Sequence, residues 1–120
     1  MKSVAFRARV LLCEGYLQNA KTAEKQAHLN ESWRCLQYAH IVSQPSAKLH
    51  LKVHLHMLSF AFRSANRNEI FGQLIRLLIA VPGSLSGKYP KGNPGTSDIS
   101  MFAVCEIPSD LRERLELDTA

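Results

Sequence analysis

Apolar residues recur at helical spacing from residue 4 to residue 81, and beyond that the pattern is lost. Val4, Ala5, Val10, Leu11, Leu12 and Leu17, set among Arg7, Arg9 and Glu14, predict a helix over 4–17. It runs on toward residue 27 through a stretch rich in Ala, Lys, Glu and Gln, and Gly15 weakens it without ending it. The stretch 29–32 reads as a break, with Asn30 placed to cap a second helix over 31–42. That helix sets Trp33, Leu36, Ala39, His40 and Ser43 along one buried face. Ser43, Gln44, Pro45 and Ser46 make a tight connection: Pro45 disfavours helix in the residue before it, and Ser46 can cap the next segment.

Residues 49–57 alternate apolar and polar as a half-buried strand would. A lone strand has no partner in this chain, however, and the apolar pattern continues through Leu58, Phe60, Ala61 and Phe62, so the segment is read as a third helix. Asn66 and Glu69 resemble a capping box opening a fourth helix over 70–81. There Ile70, Phe71, Leu74, Ile75, Leu77, Leu78 and Val81 cover most of the surface, and only Gln73 and Arg76 interrupt. Such a helix is the most covered of the four, or else supplies an interface to a second copy or another protein. Pro82-Gly83 stops or sharply bends it. GKYPKGNPGTSD is a loop. An extended apolar piece over 99–107 comes next, its Met101, Phe102, Val104 and Ile107 strapping it to the helices, and a last helical turn falls at 109–111. The expectation is all-α: a four-helix bundle or paired helical hairpins over 1–84, with an irregular Gly/Pro-rich C-terminal strap over 85–120 packed on the same domain.

Composition narrows the class. A chain of 120 residues with 46% hydrophobic and 21% charged residues is long enough for one core and too apolar for disorder. The net charge of +5 divides into a basic body, with 13 Lys or Arg against four acids over 1–91, and an acidic tail, with two against six over 92–120. The tail can fold back on the body, and no two basic residues are adjacent, which argues against nucleic acid as a partner. Cys13, Cys35 and Cys105 are odd in number and widely spaced, which fits a reducing cytoplasm better than a disulfide framework. The first residues carry charges through their apolar run and do not read as a signal peptide. The longest apolar stretch, over 74–81, is far short of the roughly 20 residues of a membrane span.

The chemistry concentrates in the third helix and just before it, where four of the five histidines lie. On a helical wheel Lys52, His56, Ser59 and Arg63 form the polar face, whereas His50 and His54 point inward with Met57 and Ala61. In a hairpin closed by a short loop, His40 near the end of one helix and His50 near the start of the next stand at matching heights, with His54 one turn deeper. Imidazole suits zinc, copper, nickel and iron, and an i, i+4 pair joined by a third ligand from a facing helix can hold one ion. His40, His50 and His54 are therefore candidate ligands for zinc or copper, with Met57 or a loop residue in support. The competing reading makes them hydrogen-bonded core residues. No Glu or Asp falls beside them in sequence, so water activation for hydrolysis has little support. Asn93, Thr96 and Ser97, in GNPGTSDIS, can bind an anion or fold over the histidines, or simply form the turn that reverses the tail. GSLSGKY has the wrong glycine spacing and context for a phosphate-binding loop.

AHIVSQ, the H-x-x-x-H-x-x-M-L run from His50 to Leu58, GQLIRLLIAVPGSLSGKYPKGNPGTSDIS and EIPSDL together resemble a family of small bacterial proteins known only as a domain of unknown function. The likeness covers roughly residues 30–111. In that family the second helix reads like H-L-E-R-A-H; here Cys35, Gln37 and Tyr38 replace the first His, the Glu and the Arg, while His40, His50 and His54 match. Some members neighbour heavy-metal resistance genes, and the resemblance so implies a link to metals without a mechanism. Two functions stand as expectations: a small metal-binding protein, or an interaction module or homodimer meeting its partner through the 70–81 helix, with structural histidines.

Overall fold

The computed structural model describes residues 2–119, and within them the side chains of all but residues 2, 3, 80, 81, 83, 84 and 117–119. The described residues form five helices: α1 (Lys2–Lys25), α2 (Leu29–Ser43), α3 (Ala47–Arg63), α4 (Arg67–Ser86) and α5 (Ser109–Thr119). The all-α expectation holds. α1 and α2 pack as one hairpin and α3 and α4 as another; α2 and α3 join the two, and α5 lies on α1.

Helix ends show where local chemistry sets the lengths. α1 is closed just past Lys25 by Ala27, held in the left-handed region at φ 61°, with His28 N–H on Ala23 O and Ala27 N–H on Glu24 O. This paired closure satisfies carbonyls that the helix leaves open. The break thus falls before Leu29, and Asn30 sits inside α2; its cap position is His28, with no side-chain cap bond. α3 ends the same way at Ala65, φ 56°. Its start is as expected: Ser46 Oγ accepts from Leu49 N–H at 3.3 Å. Asn66 Oδ1 likewise caps α4 by accepting from Glu69 N–H at 3.2 Å.

The core gathers Leu12, Cys13 and Leu17 of α1, Leu36, Ala39 and Val42 of α2, Val53, Met57 and Phe60 of α3, and Leu111 of α5. Among the described residues none of its members comes from α4, which corrects the expectation that α4 is the most covered helix. Phe71, Leu74, Leu78 and Ile79 are exposed, whereas Glu69, Gln73 and Arg76 are buried. The side chain of Val81, assigned to the same apolar surface, lies outside the described residues. The polar stripe turns inward because residues 93–99 run against it without regular structure, and their backbone groups need partners. Gln73 Nε2 donates to Gly95 O, Arg76 Nη2 donates to Thr96 O and Ile99 O, and Ser97 N–H donates to Glu69 Oε1.

Pro82 does not stop α4, which continues to Ser86. The C-terminal segment ends in a helix of 11 residues instead of a single turn, anchored by the fully buried Leu111. Of the four residues expected to strap the segment down, Ile107 packs on the core and Met101 is half-buried. Phe102 and Val104 are 73% and 77% exposed.

Candidate metal centre

His40 reaches the site from the last turn of α2, and His50 and His54 from successive turns of α3. The loop between the helices fixes their relative height. Gln44 and Pro45 leave no slack, Ser46 N–H bonds Ser43 O, and the Ser46 cap starts α3 four residues before His50. All three imidazoles are buried, at 3%, 7% and 2% exposure for His40, His50 and His54. Their Nε2 atoms converge: 2.9 Å for His40–His50, 3.0 Å for His40–His54 and 3.2 Å for His50–His54.

The far side of two rings decides what these contacts are. His40 Nδ1 lies 2.8 Å from Asn93 O, and a carbonyl can only accept, so Nδ1 carries the hydrogen. His54 Nδ1 lies 2.7 Å from Gln73 Oε1. The orientation of that amide is set by its other end, where Nε2 donates to Glu69 Oε2 at 3.1 Å and to Gly95 O at 2.8 Å. His54 Nδ1 therefore also carries its hydrogen. In the neutral rings the Nε2 atoms of His40 and His54 are both bare, so their 3.0 Å approach sets lone pair against lone pair. A single proton on His50 Nε2 can relieve one of its neighbours but does not lie between those two.

An added proton is a poor remedy. Burial, reinforced by His54 and His50, holds His40 well below the ordinary histidine range, and the Asn93 carbonyl only partly offsets this. Burial lowers His54 to about 4, against the opposing pull of Gln73, with the Arg76 guanidinium adding to the depression. The His40 and His54 imidazoles are thus held neutral, the form that ligates metal. Nitrogens on one tetrahedral zinc, at about 2.0–2.1 Å from it, stand about 3.3–3.4 Å apart. The observed triangle needs to open by only a few tenths of an ångström, and His40, His50 and His54 lie close enough together to hold an ion.

Around them the other expected residues take different places. The GNPGTSDIS loop folds over the histidines. Asn93 meets His40 through its backbone carbonyl, while its side chain accepts from Gly95 N–H and donates to Ser100 O and Ala103 O. Thr96 is buried with Oγ1 unpartnered, and Ser97 N–H and Oγ both donate to Glu69 Oε1. Met57 lies in the apolar core. His56 is half-buried on another face of α3, more covered than its place on the polar face suggested. Cys35, Gln37 and Tyr38 do not line the cavity beside the histidines; Tyr38 Oη instead donates to Asp110.

Sequence reasoning missed Glu69, Gln73, Arg76 and Gly95. The first three fall at i, i+4 and i+7 of a helix otherwise almost wholly apolar, and that spacing alone puts them on one stripe. Gly95 has φ +81°, and a Cβ there would come within 2.5–2.7 Å of the His40 ring. Only glycine lets the loop close on that imidazole.

The fold and site define a small helical protein with a buried, preorganised three-histidine cluster. The chain belongs to the family described as Protein of unknown function (DUF3703), whose model matches residues 8–115. No curated protein and no solved structure matches it.

Proposed function

We propose that this protein binds a transition-metal ion, zinc or copper, through Nε2 of His40, His50 and His54. The observation that carries the reading is the pair of bare nitrogens, His40 Nε2 and His54 Nε2, at 3.0 Å in a buried site. A proton on His50 Nε2 can satisfy one of these two acceptors; the other loses its hydration without compensation, and a shared cation removes that cost. Asn93 O and Gln73 Oε1 act as the outer partners that orient metal-binding histidines, and Glu69 in turn holds Gln73. A cytoplasmic, reducing setting belongs to the same reading, since Cys13, Cys35 and Cys105 are free thiols. Among the described residues no helix is long and apolar enough to cross a membrane. The test is metal analysis of untagged protein, with zinc and copper titrated into the metal-free form. One equivalent should bind in the wild type and be lost in His50→Ala/His54→Ala; a wild type that takes up neither metal overturns the reading.

A second reading rests on α4. Its outward Phe71, Leu74, Leu78 and Ile79 form an apolar row, the surface expected of a helix that meets a second copy or another protein. Light scattering across a concentration series tests the homodimer: a monomer mass throughout counts against it.

A further inference from the structure

The three histidines leave one position of a tetrahedral ion unfilled by imidazole, and they line a cavity of about 150 Å³. We infer that this open position takes a small anion from solution, a halide, pseudohalide or oxyanion, held beside the metal by Arg76; the inference rests on the metal reading above. Three features of the cavity support it.

Charge comes first. Zinc or divalent copper on three neutral imidazoles keeps its full double charge, and among the described residues no carboxylate lines the cavity. Arg76 and Lys88 line it instead. The nearest buried acid, Glu69, is spent on Ser97 and Gln73. A dication beside a guanidinium favours an anion as the remaining ligand.

The second feature is an unused donor. Arg76 is only 8% exposed, and its Nη1 and Nη2 bond Gly72 O, Thr96 O and Ile99 O. Its Nε is buried without a partner. A buried guanidinium nitrogen left unsatisfied in a residue that lines a cavity is a ready donor for an anionic oxygen or nitrogen.

The third is size. A space of about 150 Å³ accommodates a molecule as large as benzene, so a small anion fits beside the three nitrogens. Ile79, Pro90, Met101 and Phe102 supply apolar lining beside the histidines. Binding is a ligand exchange: the anion displaces metal-bound water, and no oxidation state changes.

Cobalt(II), loaded into the untagged full-length protein, reports the open position through its visible absorption. Titration with thiocyanate should give a saturable change. Arg76→Met should weaken thiocyanate by about tenfold or more while leaving binding of neutral imidazole less affected. Arg76→Gln, which keeps a donor for the loop carbonyls, is the second variant and carries the same expectation. A cobalt-loaded wild type whose spectrum ignores excess thiocyanate overturns the inference, and would indicate a fourth protein ligand such as Tyr89, which also lines the cavity. Equal weakening of thiocyanate and imidazole in the variants overturns the role of Arg76. Protein that takes up no cobalt, zinc or copper fails one step earlier, at the three-histidine site itself.

Discussion

At the scale of single residues the site depends on two positions that touch no metal. Gln73 uses both ends of its amide, accepting from His54 Nδ1–H and donating to Glu69 and Gly95 O. Gln73→Leu keeps the volume and removes every one of those bonds. It should cost about 1–3 kcal/mol of stability in urea titration, because buried partners are left unpaired. It should also lower metal affinity about 10–100-fold by calorimetry, because the His54 tautomer is no longer fixed. Gly95→Ala acts by sterics: a left-handed φ and a Cβ overlapping the His40 ring together should destabilise by more than about 2 kcal/mol and weaken metal binding. Gly15→Ala is the control of opposite sign. It lies inside α1 with open space around its Cβ direction, so alanine should stabilise by about 0.5–1 kcal/mol.

At the scale of elements, the sequence is legible wherever local periodicity decides. The histidine face of α3 comes from spacing alone once the strand alternative fails for want of a partner, and the structure buries His50, Val53, His54, Met57 and Ala61 together. The orientation of α4 does not, because it is set from far along the chain: unpaired backbone groups of residues 93–99 claim its polar stripe, and its apolar side is left outward. α5 reads as one turn in sequence because, among the described residues, its core anchors are just Leu111 and Leu115 in a charged segment. The α1–α2 break is misplaced for a different reason, namely that alanine occupies left-handed positions where glycine would have signalled the stop. Those alanines carry a prediction. Ala27→Gly and Ala65→Gly relieve backbone strain, and each should raise stability by up to about 1 kcal/mol in thermal or urea unfolding, less what glycine adds to unfolded-chain entropy. A loss of stability in both would show that the two closures carry no strain.

For the molecule as a whole, the histidine cluster couples folding to pH, and the sign is fixed by burial. In the unfolded chain His54 takes a proton near its ordinary value of 6.5, whereas in the folded, metal-free protein it stays neutral down to about 4. Between those values the unfolded state binds the extra proton, so stability is fully present above 6.5 and is lost as pH falls toward 4. His40, also held low by burial and by its histidine neighbours, adds to the loss in the same direction. For His54 alone the loss is on the order of 3 kcal/mol, a large part of the stability of a small domain. Urea titrations of metal-free protein from about pH 8 to about pH 4 should show a plateau above about 6.5 and a steady fall below it, with His54→Gln flattening the fall. Zinc held at about 100 times its dissociation constant should lift the plateau by about 2.7 kcal/mol, since only the folded chain assembles the three nitrogens. A pH profile rising toward acid would mean that the cluster already carries a proton at neutral pH, and the bare nitrogens on which the metal reading rests would not exist.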